Sequence, residues 1–226
     1  FIARMTASGT SYDYMTFVGG AIDDSGTGIA VDSLNDVYIT GYAYSPDFPD
    51  NAIAFPTVAG QGGGRTTLST APDAFLFKLR IGGGGAHADG VYASFLGGGT
   101  DDRGTGIKVD ASFNAYVAGT TTSGDFPNVG ANAGAGQATF IGSPEAFVTQ
   151  FDPTGGPLVL STWLGGTAGT RGQGLALDSG KNIYVTGYTA SGAGTFPLVI
   201  GGFQQLRGTG TNTAFITKFG SAALAV

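Results

Sequence analysis

Cysteine is absent from this chain. That excludes disulfides, thiolate nucleophiles and Cys-ligated metals together, and leaves the redox compartment open. Histidine occurs once, at His87, so a conventional zinc site built from several His and Cys ligands has no source. Charge is scarce, at 12% of residues against about 25% in an average globular chain. Ten Lys+Arg stand against sixteen Asp+Glu, a net charge of −6, and this acidic balance argues against nucleic-acid binding. No apolar run approaches the roughly eighteen residues of a membrane-spanning helix. The chain opens at Phe1 with neither an initiator Met nor a signal-peptide pattern, so a processed protein or an internal window of a longer chain is expected.

Glycine is what the chain has in excess: 42 of 226 residues, against about 7% in average usage. Yet 42% of residues are hydrophobic and 12% aromatic, which a disordered glycine-rich linker would lack. A chain this long can bury roughly 70% of its unfolded surface, so a core needs no covalent staple. Many turns between short apolar segments predict an all-β protein.

An internal repeat organises those segments. Gly19-Gly20, Asp23-Asp24, Gly26-Thr27-Gly28 and Asp32 recur in order as Gly97-Gly98, Asp101-Asp102, Gly104-Thr105-Gly106 and Asp110. A third copy runs from Gly165-Gly166 through Gly172-Gln173-Gly174 to Asp178. Each copy continues to a tyrosine (Tyr38, Tyr116, Tyr184), a Phe-Pro pair (Phe48-Pro49, Phe126-Pro127, Phe196-Pro197) and an alternating stretch that begins at Ala74, Ala146 or Ala214. Phe1 to Met5 repeats the start of that last stretch. The first copy is longer because of two glycine-rich insertions, 50–70 and 82–90, which read as loops.

One unit holds four strands: Gly26 to Asp32, Val37 to Ala43, Ala74 to Arg80 and Val91 to Leu96. Four short antiparallel strands per repeat, with no helical periodicity, is the unit of a β-propeller blade. The expected units are 1–18 (partial), 26–96, 104–164 and 172–226, about three blades plus partial blades at the termini. Propellers close with roughly four to eight blades, so a window of a longer chain is the expected reading. The alternative is an assembly whose subunits complete one another's blades.

The strings Tyr92-Ala93-Ser94-Phe95-Leu96-Gly97-Gly98, Asp101 to Asp110, Asn114 to Gly119 and Asp125-Phe126-Pro127 resemble the SBBP family, the seven-bladed-propeller-type repeats of bacterial secreted proteins. The resemblance covers nearly the whole chain, three times over. It implies a propeller fold and an extracellular or cell-surface setting, and it says little about function, since such repeats occur mostly in large surface proteins.

Candidate sites divide between chemistry and turn-making. The pairs Asp23-Asp24 and Asp101-Asp102 sit in glycine-rich turns, where carboxylates and carbonyls could bind calcium. Aspartate there also hydrogen-bonds turn amides, which is the preferred reading, and the third copy replaces the pair with Gly169-Thr170. Asp32, Asp110 and Asp178 end the first strand in every copy, as turn residues would. Trp163 aligns with Phe17 and Phe95 and reads as packing. Glu145 precedes a third strand, where Asp73 and Thr213 are its counterparts, as at a turn position. Phe55, Pro56, Arg65 and His87 fall in the insertions and are the candidate partner or ligand loops.

No catalytic constellation emerges. Gly-Thr-Gly at Gly26 and Gly104 has no following helix, and lysine is missing from the place a phosphate loop requires; no nucleophile elbow occurs. The expected function is a non-enzymatic structural or interaction module that displays loops from rigid blades. Protein partners or self-association through blade edges are expected, and no cofactor beyond the calcium candidate. A carbohydrate-binding propeller is the alternative, with glycans as partners. An enzyme with a site at the propeller axis, using Asp102 and Arg103, is third.

Overall fold

The computed structural model describes residues 1–49, 68, 71–82, 90–130, 136–192, 194–198, 203–204 and 208–220. Short apolar runs between glycine-rich turns give only strands among them. A leading hairpin joins β1 (Ile2–Met5) to β2 (Tyr12–Thr16). A four-stranded sheet follows, with β3 (Asp24–Val31), β4 (Asp36–Ala43), β5 (Asp73–Arg80) and β6 (Gly90–Leu96). The second is β7 (Asp102–Val109), β8 (Ala115–Thr121), β9 (Glu145–Phe151) and β10 (Leu158–Leu164). A three-stranded sheet is formed by β11 (Thr170–Leu177), β12 (Ile183–Thr189) and β13 (Thr213–Phe219). All neighbours are antiparallel and in chain order, and among the described residues no sheet closes on itself. These sheets are called the first, second and third blades below.

The expected strands of the first unit are therefore present, each starting slightly earlier than the apolar pattern alone places it. The leading hairpin occupies the place of third and fourth strands. Its Arg4↔Tyr14 pairing repeats Lys78↔Tyr92 and Gln150↔Leu160.

Each blade's first strand carries a bulge inside its Gly-x-Gly triplet. Gly26 pairs with Gly41 and Gly28 with Thr40, so Thr27 has no partner across the ladder; Thr105 and Gln173 are the corresponding residues. A bulge bends the strand and re-aims the extra residue. Here the Thr27 hydroxyl donates to the Gly104 carbonyl of the second blade at 2.6 Å, and the Thr105 hydroxyl to the Gly172 carbonyl of the third at 3.0 Å. The opposing strand needs glycine at Gly119, because a Cβ there would strike the Arg103 carbonyl oxygen and the Phe147 ring.

Alternation along each strand sends one set of side chains forward and the other back, and three cores fill the spaces between successive sheets. Ile2 of the hairpin meets Ile39, Phe75 and Phe77 of the first blade. Tyr38, Leu76 and Leu96 on the other face meet Ile107, Val117 and Phe147 of the second. Ala118, Val148 and Leu160 meet Val185 and Phe215 of the third. Fully burying each large aliphatic side chain contributes about 1.5–3 kcal/mol, so most of the stability lies between sheets.

Candidate functional site

The aspartates that end the first strands build the same structure three times. In the second blade the Asp110 Oδ1 accepts the amides of Ser112 (2.8 Å) and Asn114 (3.0 Å), while Oδ2 accepts the Asn114 side-chain amide (2.9 Å) and the Tyr116 hydroxyl (3.1 Å). Asp178 does the same with Gly180, Asn182 and Tyr184. Asp32 does so with the amides of Leu34 and Asp36 and the Tyr38 hydroxyl. The two residue types read separately in the sequence, turn aspartate and packing tyrosine, thus satisfy each other. Burial pushes the Asp110 carboxyl up, but the Asn114 side chain, Lys181 and two backbone amides outweigh it and hold the group below its ordinary value. Burial and the Asp110 charge push the Tyr116 phenol up. Tyr116→Phe removes one hydrogen bond from a carboxylate that keeps its other partners. The expected loss is about 1 kcal/mol in urea unfolding, with unchanged far-UV circular dichroism.

The charges around this motif differ from blade to blade. In the first blade Lys78 lies 3.0 Å from Asp36 and 3.7 Å from Asp32, and Arg80 grips Asp36 with two hydrogen bonds of 2.9 and 2.8 Å. The Arg80 and Lys78 hydrogen bonds hold the Asp36 carboxyl below its ordinary value against its burial. In the second blade Asp110 receives Lys181 of the third blade at 3.0 Å.

The four aspartates considered for calcium separate into two kinds. Asp24 and Asp102 tie down the glycine-rich turns. The Asp24 Oδ2 accepts the Gly20 amide (2.8 Å) and the Ser45 hydroxyl (2.7 Å), and its Oδ1 accepts the amides of Tyr44 and Ser45. The Asp102 Oδ2 accepts the Gly98 amide (2.7 Å) and the Ser123 hydroxyl (2.8 Å). Gly98 has no room for a side chain because the Asp125 carboxylate and Ser123 stand where its Cβ would go. Asp101 faces outward and pairs through both oxygens with Arg103, at 2.7 Å each. The Asp23 side chain is exposed, and its backbone carbonyl accepts the Tyr44 amide. In the third blade Thr170 replaces Asp102, and its hydroxyl bonds that of Thr189 at 2.8 Å. Among the described residues no group of three or more His, Asp and Glu side chains is placed to hold a metal ion.

Asp102 is nonetheless unlike Asp24. It is fully buried between the first and second blades, and its Oδ1 has no hydrogen-bond partner. Burial raises its carboxyl from 3.8 to about 6, against hydrogen bonds from Thr121, Gly98 and Ser123, and the Asp73 charge adds to the rise. Both carboxylates crowd Gly97, one from each blade. Arg103, the next residue, is engaged on the surface. Its guanidinium stacks on Tyr42, 4.3 Å from the ring centroid, and donates to the Tyr44 hydroxyl at 3.3 Å.

Glu145 is the other fully buried carboxylate of note. It accepts two hydrogen bonds from the Gln137 side chain (3.0 and 2.8 Å) and one each from the amides of Ile141 and Gly142, both at 2.9 Å. It therefore anchors the loop ahead of its own strand, as a turn position should. Trp163 is buried beside Phe140, ring centroids 5.9 Å apart, and offers no exposed stacking platform. Phe55, Pro56, Arg65 and His87 lie outside the described residues.

The surface feature that stands out is a pair of unpartnered blade faces. Leu76 and Val148, on the forward faces of the first and second blades, are both 0% exposed, while Ile216 at the same position of the third blade is 74% exposed. At the other end, Ile107 on the second blade's first strand is 4% exposed and its counterpart Ile29 on the first blade is 59% exposed. Phe1 and Phe17 of the leading hairpin are exposed where Phe75 and Phe95 are buried. Neither feature is visible from the repeat itself, because equivalent residues differ only in what stacks on them.

A comparison with curated proteins finds no match for the chain. A comparison with family models finds a match within the chain, over residues 14–49, which takes in the end of β2, the first glycine-rich turn, the bulged strand β3, the Asp32–Tyr38 motif, β4 and the Phe48-Pro49 pair. The model that this segment matches is the SBBP β-propeller repeat.

Proposed function

We propose that the chain is a structural and interaction module whose exposed blade faces take protein neighbours, by self-association or by docking of another protein. The observation that carries this reading is the contrast between Leu76 and Val148, buried by the next blade, and Ile216, left exposed at the same position. The setting we assign is extracellular or cell-surface, in a bacterial protein; the scarcity of charge and the repeat type support it. No catalytic role is assigned. The polar residues nearest to a catalytic set are engaged elsewhere: Asp102 in a turn, and Arg103 with Asp101, Tyr42 and Tyr44.

Sedimentation velocity over a range of concentrations tests the reading directly. Concentration-dependent association that Ile216→Asp abolishes is the expected result, with the variant's own stability within about 0.5 kcal/mol of wild type, as for a surface change. If the chain stays monomeric and captures no protein through this face, the reading fails.

Calcium is assigned no part in stability, because Asp24 spends both oxygens and Asp102 its Oδ2 on turn amides and serine hydroxyls, and Asp101 is paired with Arg103. Melting temperature is expected to be the same in EDTA and in excess calcium. A calcium-dependent rise that Asp23→Asn and Asp101→Asn remove would establish a site instead.

A further inference from the structure

The unpartnered face of the third blade carries a charge pattern that says what kind of neighbour fits it. Each blade's first turn holds one residue in the left-handed region, with Asn35 at φ 65°, Phe113 at 65° and Lys181 at 62°. In the two described interfaces between full blades this residue reaches back onto the preceding blade. Phe113 places its ring 5.8 Å from the Lys78 ammonium. Lys181 reaches Asp110 at 3.0 Å and donates to the Ser112 hydroxyl at 3.0 Å.

What arrives matches what is already there. The residue paired with the motif tyrosine on the third strand is Lys78, Gln150 or Lys218. The first blade has its own cation at that place, and its neighbour sends an uncharged ring. The second blade has Gln150 there and carries its own lysine, the exposed Lys108, on the first strand across from Tyr116; among the described residues the cation paired with Asp110 is Lys181, sent by its neighbour. The buried aspartate thus receives one compensating cation, supplied from one side or the other but not from both. The third blade repeats the first in residue type and ring contact: Lys218 lies 5.5 Å over the Tyr184 ring, whose hydroxyl donates to Asp178.

We infer that the exposed forward face of the third blade takes a further blade of this repeat whose left-handed turn residue is uncharged, as Asn35 and Phe113 are, and disfavours one that carries lysine there. This rests on the reading of that face as an interaction surface. It adds the partner's kind and the residue that selects it. The described interfaces supply the template, since the same positions meet in the same order in both.

Two experiments test it. The first is a double-mutant cycle at the interface of the second and third blades. Lys181→Phe and Gln150→Lys are each expected to lower the folding equilibrium constant about five-fold, as partly exposed charge imbalances do, and the double variant is expected to recover to within about two-fold of wild type. Additive losses would overturn the pairing rule.

The second uses the whole chain lengthened, with residues 81–164 repeated after Gly220 to supply a fourth strand and a blade bearing Phe113. The chain has no cysteine, so Ile216→Cys provides one thiol whose reaction with a disulfide reagent reports on the face. The lengthened chain is expected to protect this thiol about ten-fold more than the parent chain does. A lengthened chain with Phe113→Lys in the added blade should lose most of that protection. Equal protection by both added blades would overturn the selection rule and leave the face an interaction surface. Protection by neither would overturn both.

Discussion

Glu145→Ala is expected to lower folding stability by about 3 kcal/mol, the largest single effect among the polar positions. Three donors lose their acceptor at once: the Gln137 side chain and the amides of Ile141 and Gly142. A buried donor left unsatisfied costs about 1–3 kcal/mol, and some of these groups regain water. The loss would spread, because Gln137 also accepts the Gly165 amide at 3.0 Å and its own amide donates to the Thr162 hydroxyl at 2.8 Å. Glu145→Gln keeps the Oε1 acceptor for Ile141 and Gly142 but sets a donor against the Gln137 amide at the other oxygen, and a loss of about 1–2 kcal/mol, smaller than that of alanine, is expected. Burial raises the Glu145 carboxyl above its ordinary value despite these bonds, so the neutral amide also avoids the penalty of a buried charge. Urea unfolding at neutral pH measures both variants, and an alanine variant as stable as wild type would refute the anchoring role.

The second large effect is a pH dependence centred on Asp102. Its folded carboxyl lies at about 6, above the ordinary 3.8, so the folded state binds this proton more tightly than the unfolded chain does. The stabilisation is fully present below the ordinary value and is lost as pH rises through about 6. A rise of this size corresponds to roughly 3 kcal/mol. The groups that act on it are Asp73 from the first blade, the hydroxyls of Thr121 and Ser123, and the Gly98 amide. Asp102→Asn removes the titration while keeping an acceptor for Gly98. The stability difference between variant and wild type is expected to grow in the variant's favour from about pH 4 to about pH 6, then level off. A difference that stays constant over that range would show that the buried anion is fully compensated.

Much of the fold was legible because its signals are local. The triplets at Gly26, Gly104 and Gly172, the aspartates that follow and the alternating third strands fix strand order and period without reference to anything distant. The Asp110–Tyr116 bond is nearly as local, since the two residues flank one turn. Asp24 and Asp102 show where legibility ends. Their sequence contexts are almost the same, yet one meets only half a blade behind it and the other is sealed beneath Asp73. Burial, and with it the proton affinity, comes from a neighbour that the local string does not encode. Lys181 on Asp110 is hidden for the same reason, because the contact joins turns a whole repeat apart. The outward residues of β13 were legible as a strand face, but Ile216 differs from Leu76 and Val148 only in lacking a covering sheet.

The bulged threonines set where this architecture tolerates changes in chain length. Outside the strands, the first repeat already carries two insertions relative to the others, and the four-strand pattern on either side of them is undisturbed. Within the first strand the margin vanishes. Deleting Thr105 would restore regular pairing with β8, with Gly104 still opposite Gly119 and Gly106 opposite Ala118, but it would remove the bulge that bends the strand. Ile107 would stay opposite Val117, but the strand would lose its bend and the Gly172 carbonyl its donor. The loops have taken up added length in the first repeat, while the bulge position admits substitution, as Gln173 shows, and its loss would cost the strand its bend and its contact to the next blade.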